Sequence, residues 1–251
     1  MMRTLRFLAR LPLLAVHLGV LLPLLVLVLT FPGTRRLTWN GESLHGRVIR
    51  HWSAGLLWVF GFRVKRYGTP LPGAVLFVAN HVSWIDIELL HSQLWVGFVS
   101  KAEVEKWPLV GWLAGLGGTI YHHRGSQDSL HGVMHQMVLR LQEGRPVAVF
   151  PEGRTTSGEA LGVFHARIFQ PAVMANVPAQ PVALRYGVGG DAQQIIAFAP
   201  GEHFMGNFFR LLGEPGRVAE LHFLDPVSPS EDGRRRMAEA CRERIAAALV
   251  R

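Results

Sequence analysis

A histidine and an aspartate stand five positions apart in NHVSWID, Asn80 to Asp86, directly after the apolar run GAVLFVA. A carboxylate held against an imidazole keeps the ring in one tautomer and raises its basicity, and a general base needs both. On one continuous helix, five residues at ~100° each would separate the two side chains around the axis. Across a strand-to-helix turn, with Ser83 as N-cap and Asp86 in the first helical turn, the carboxylate can fold back onto the ring. From these residues alone, His81 and Asp86 read equally as a base with its orienting acid or as a polar strand end followed by a helix start.

A second stretch, VAVFPEGRTTSG from Val147 to Gly158, runs an apolar strand straight into Pro-Glu-Gly, then Arg154 and the hydroxyls of Thr155, Thr156 and Ser157. Backbone amides, hydroxyls and a guanidinium at a strand end suit a phosphate or another oxyanion, although an ordinary turn has the same composition. Glu152 would repel that anion, so its expected task is to hold the loop or an arginine. Between the two stretches, GGTIYHHRG brings Arg124 to another strand end. In an open α/β sheet, where ligands bind at the carboxyl ends of strands, Arg124 and Arg154 can converge on one phosphate.

The elements that must position these residues alternate after Tyr67 between short β-rich runs and amphipathic stretches punctuated by Gly and Pro, which predicts an α/β domain. Strands are expected at 74–79, 95–99, 119–122, 146–150, 180–186, 194–198 and 217–223. Helices are expected at 83–92, 102–116, 126–143 and 231–249. Cys241, the only cysteine, falls at helical spacing with Met237, Ile245 and Leu249 and reads as a core thiol; a single cysteine also excludes a disulfide framework.

Leu11 to Phe31 contains 21 residues without Asp, Glu, Lys or Arg. As a helix at ~1.5 Å per residue it can cross ~30 Å of hydrocarbon. A cleaved signal peptide would follow the basic Arg3, Arg6 and Arg10 equally well, but no small-x-small site comes after the apolar run, so a retained membrane anchor is expected. Pro12 and Pro23 allow a kinked or half-inserted helix instead of a straight span. Arg35, Arg36, Arg47 and Arg50 place the body on the cytoplasmic side by the positive-inside rule. Trp52 to Phe62, flanked by Arg63, Lys65 and Arg66, suits either the membrane interface or a helix packed on the core. The division is therefore 1–66 as membrane anchor with interfacial helix and 67–251 as α/β domain. A formal charge of +8 implies an anionic partner; with an anchor present and no nucleic-acid motif, that partner is expected to be lipid.

The order NHVSWID, KWPLVGWLAGLGGTIYHHR, FPEGRTTSG and VPAQPVALRY, behind an apolar N-terminal segment, resembles the 1-acyl-glycerol-3-phosphate acyltransferase (lysophosphatidate acyltransferase) family. The resemblance implies a glycerolipid acyltransferase-like mixed sheet flanked by helices. It also implies transfer of a fatty acyl group from acyl-CoA or acyl carrier protein to the free hydroxyl of a lysophospholipid, most directly 1-acyl-glycerol-3-phosphate. His81 would be the base and Asp86 its orienting acid, with no metal, enzyme nucleophile or bound cofactor. Arg124 and Arg154, with Glu152, Gly153 and Thr155, would form the acceptor site, and Val177 to Pro181 the acyl-donor side. The chain departs from the family pattern in IYHHR, where an acid usually precedes the arginine, and in EGRTT, where the arginine comes one step early. These departures leave room for another lysolipid acceptor, such as a lyso-ornithine lipid. A Ser83-dependent esterase or thioesterase and a non-enzymatic lipid-binding module are the rival readings.

Overall fold

The run Leu76–Ala79 is buried on both sides. Leu76 and Val78 pack into one apolar cluster with Met137, Leu141, Phe169 and Ile245, while Phe77 and Ala79 pack into another with Phe60, Leu89 and Leu212. A continuous apolar strand covered on both faces marks the centre of a sheet sandwiched between helices, and each such large side chain contributes ~1.5–3 kcal/mol by leaving water.

The computed structural model describes residues 2–123, 127–229 and 233–250. One continuous helix opens the chain: α1 (Met2–Val16), a π-helical turn (His17–Leu21) and α2 (Leu22–Thr30). The short hairpin of β1 (Thr38–Trp39) and β2 (Glu42–Ser43) leads into α3 (Leu44–Val59), where Ser43 Oγ accepts the Gly46 amide at 3.1 Å. Next come β3 (Phe62–Tyr67), β4 (Leu76–Ala79), α4 (Ile85–His91), β5 (Gly97–Lys101), α5 (Ala102–Glu105) and α6 (Val110–Leu116). These are followed by β6 (Ile120–His122), α7 (Gln127–Gln142), β7 (Val147–Val149), α8 (Gln170–Met174) and β8 (Ala179–Tyr186). The chain closes with α9 (Gln193–Ile196), α10 (Phe204–Gly213), β9 (Arg217–Phe223) and α11 (Gly233–Val250). Strands β3 to β9 form one sheet in the order β3-β9-β8-β4-β7-β5-β6, with every neighbouring pair parallel except β8 and β9. This is the expected mixed sheet flanked by helices.

Three expectations about elements are corrected. The basic residues Arg63, Lys65 and Arg66 lie on β3, which pairs with β9 in parallel, so the sheet begins before residue 67. Residues 194–198 are not a strand: Gln193 starts α9, its Oε1 accepting the Tyr186 amide at 2.8 Å and its Nε2 donating to the Leu184 carbonyl at 3.2 Å, which folds this segment against the end of β8. The single helix expected over 102–116 is two, broken around Pro108, with Leu109 at φ +62°. Cys241 is fully buried in the core, and burial pushes its thiol up to about 12.

The N-terminal helix is long and apolar enough to cross a membrane. One side of it is nonetheless packed on the protein: Leu22, Leu25 and Leu29 cluster with Ile49, and buried His17 lies 4.9 Å from the Trp52 ring. Leu13, Leu18, Val20, Leu24 and Leu27 stay exposed on the rest of its surface. Pro23 follows the π turn, as expected where a missing N–H interrupts the ladder.

Candidate active site

Asn80 follows β4 and extends its ladder with a side chain. Its Nδ2 donates to the Leu184 carbonyl at 3.0 Å and its Oδ1 accepts the Leu184 amide at 2.8 Å, so the chain leaves the sheet with β8 still attached. His81, the next residue, is held by both of its backbone polar groups. Its amide donates to Glu152 Oε1 at 2.8 Å, and its carbonyl accepts the Thr156 amide at 2.8 Å and the Thr156 hydroxyl at 3.2 Å. The two motifs read separately from the sequence are thus one structure, joined at the backbone of His81.

The His81 ring is fixed just as closely. Nδ1 lies 2.7 Å from Asp86 Oδ2, and the ring stacks on Phe150 at 3.9 Å and 12°, with Phe150 stacked in turn on Phe98 at 5.6 Å. An ionised carboxylate only accepts, so Nδ1 carries the proton and Nε2 presents its lone pair. The His81 side chain keeps 15% of its surface, whereas Asp86 is fully buried. Asp86 meets the burial requirement by accepting four times: Oδ2 also takes the amides of Val82 and Ser83, at 2.7 and 2.8 Å, and Oδ1 takes the Tyr186 hydroxyl at 2.5 Å. The expected N-cap is corrected here. Helix α4 starts at Ile85 after Trp84, and Asp86 itself ties down the preceding turn. Ser83 is fully buried with its Oγ 3.5 Å from the Ile85 amide, which removes the exposed elbow that a serine nucleophile needs.

Glu152 is buried, and both its oxygens are engaged, Oε1 by His81 and Oε2 by the Gly162 amide at 2.8 Å. Burial raises its carboxyl above the ordinary range, opposed by the two amides. These two bonds tie the loop to the turn at His81. Gly153 turns the loop at φ +72°, with the His165 ring alongside. Arg154 is exposed and without a hydrogen-bond partner among the described residues, and Thr155 is half-buried beside it. Arg124 lies outside the described residues. Because β4, β5, β6 and β7 are mutually parallel, His81, Lys101, His122 and the loop after Val149 all fall at one edge of the sheet. Lys101 Nζ sits 5.7 Å from the Trp107 ring centroid there. Sequence reading missed Phe150, Tyr186 and Lys101. Only Lys101 carried a signal, as a cation ending an apolar strand.

The chain has counterparts among known proteins. Residues 63–185 match the family model described as Acyltransferase. The chain is 38% identical over 207 residues to the lyso-ornithine lipid O-acyltransferase of Pseudomonas aeruginosa, covering 82% of this chain and 80% of that one. It belongs to the acyltransferase family. A 1-acyl-sn-glycerol-3-phosphate acyltransferase of Neisseria gonorrhoeae is 37% identical over 126 residues, about half of each chain. In fold, this acyltransferase superposes on the 1-acyl-sn-glycerophosphate acyltransferase PlsC of Thermotoga maritima with a TM-score of 0.74, over 100% of this chain and 99% of that one, at 19% identity. Its relatives are named for action on lysolipids, and His81 and Asp86 lie inside the matched region.

Proposed function

We propose that His81 is the general base for transfer of a fatty acyl group from an acyl thioester, carried by coenzyme A or acyl carrier protein, to the hydroxyl of a lysolipid. The observation that carries this is the Nδ1 contact with buried Asp86, which leaves the Nε2 lone pair facing out at the sheet edge. Nε2 takes the hydroxyl proton as the oxygen attacks the thioester carbonyl; the C–O bond forms, the C–S bond breaks, and the imidazolium returns its proton to the departing thiolate. No serine or cysteine of the enzyme enters this sequence. The reaction takes place at a membrane surface through the apolar N-terminal helix, on the cytoplasmic face in keeping with the basic residues that follow it.

Lyso-ornithine lipid is the acceptor that the relatives support best, because the Pseudomonas aeruginosa enzyme of that name matches over 80% of its own length. 1-Acyl-glycerol-3-phosphate is the second reading. It is favoured by the unpaired Arg154 beside Gly153 and Thr155, a cradle that Arg124 would complete around a phosphate. Membranes supplied with labelled acyl thioester and each lysolipid separate the two. Acylation of the phosphate-free acceptor alone removes Arg124 and Arg154 from a phosphate role, and acylation of lysophosphatidate alone removes the first reading. His81→Ala is expected to lower the rate by ~10²-fold or more with either acceptor; an unchanged rate overturns the mechanism.

A further inference from the structure

Tyr186, the last residue of β8, is fully buried, and its hydroxyl meets Asp86 Oδ1 at 2.5 Å across 100 positions of sequence. The carboxylate's other oxygen is taken by His81 and by the Val82 and Ser83 amides. The tyrosine cannot turn away easily. Its amide donates to Gln193 Oε1 at 2.8 Å, its carbonyl accepts the Ala192 amide at 3.0 Å, and its ring packs 5.9 Å from that of Phe62.

We infer that Tyr186 is a positioning residue for acyl transfer: its hydroxyl fixes the rotation of the Asp86 carboxylate and draws charge from it, and so sets how firmly the His81–Asp86 pair holds a proton. The inference rests on His81 being the base. Among the described residues, the titratable groups bonded to His81 are Asp86 from α4, Glu152 from the loop after β7 and, through Asp86, Tyr186 from β8. Burial next to a carboxylate raises the Tyr186 phenol well above its ordinary range, so the hydroxyl remains a donor whenever His81 is active. Removing this donor leaves more charge on the carboxylate, and the pair binds its proton more tightly.

Tyr186→Phe keeps the ring and its packing and deletes only the hydroxyl. In the full chain, acylation rates between about pH 5 and 9 are expected to show the ascending limb moved up by roughly one unit, a tenfold loss at a pH below it, with the KM for the lysolipid unchanged. Replacing Tyr186 by 3-fluorotyrosine, a stronger donor of the same shape, is expected to move the limb down. A purely structural tyrosine would alter the melting temperature and leave both limbs in place, which overturns the inference. If Tyr186→Phe does not fold, the fluorinated protein decides by the same criterion. His81→Ala, assayed alongside, separates the two levels: full activity there overturns the base and this inference together. An inactive His81→Ala with unmoved limbs overturns the role of Tyr186 alone.

Discussion

Glu152 accepts the amide of His81 through one oxygen and the amide of Gly162 through the other, both at 2.8 Å. The FPEG loop is thereby a clamp on the turn that carries His81. A glutamine in its place offers one oxygen and one NH2 group, so one of the two buried amides would face a donor. Glu152→Gln is expected to cost ~1–3 kcal/mol in chemical unfolding and to lower kcat by ~10-fold or more, because His81 loses its fixed backbone. Wild-type kcat at wild-type stability would show that Thr156 alone suffices to hold His81.

The site was legible where its logic is local. His81 and Asp86 share one turn, and FPEGRTTSG announces a strand end by its own composition. Tyr186, Phe150 and the pairing of Asn80 with Leu184 were hidden because each acts on a partner 69 to 104 positions away, a distance that only the sheet order closes. Strand β3 was hidden for a different reason. Arg63, Lys65 and Arg66 suggested a membrane flank, although the alternation of Phe62 and Val64 with exposed charges is that of an edge strand. The false strand at 194–198 shows the converse: QQIIAF has strand composition, yet the side chain of Gln193 is spent on the backbone of β8.

Beyond Asp86, helix α4 carries two partly buried titratable groups that oppose each other. Glu88 Oε2 is sealed from solvent, and burial raises its carboxyl from 4.5 to about 7, opposed by the neighbouring Ser53 hydroxyl. The folded state therefore holds a proton that the unfolded chain releases, and stability falls as pH rises from 4.5 to about 7. His91, with Nε2 3.1 Å from the Val96 carbonyl, is pushed from 6.5 to about 4 by burial; the unfolded chain binds the extra proton, and stability rises from about 4 to 6.5. Each effect is worth up to ~3 kcal/mol, so the two largely offset in the wild type. Glu88→Gln is expected to uncover the rise due to His91, reduced by the raised carboxyl of Glu152, and to be more stable than the wild type above pH 7. Urea midpoints across this range check it; parallel wild-type and variant curves would refute the assignment of Glu88.

The first three turns of the N-terminal helix do more than precede an apolar segment. Arg10 Nη1 donates to the Leu212 and Glu214 carbonyls at 2.9 and 2.8 Å, and Arg6 Nε donates to the Gly213 carbonyl at 3.0 Å, so both satisfy carbonyls left open at the end of α10. Gly61 makes the room: a Cβ there would stand 2.0 Å from Arg10 Nη2. Arg3 reaches Glu214 only at 3.8 Å and is 57% exposed. Arg10→Met keeps an unbranched apolar stem and removes both bonds, with an expected loss of ~1–3 kcal/mol and faster hydrogen exchange in α1 and the last turn of α10. Arg3→Ala is expected to change stability by less than ~1 kcal/mol. Equal effects from the two substitutions would mean that overall positive charge, and not this grip on α10, holds the helix to the body.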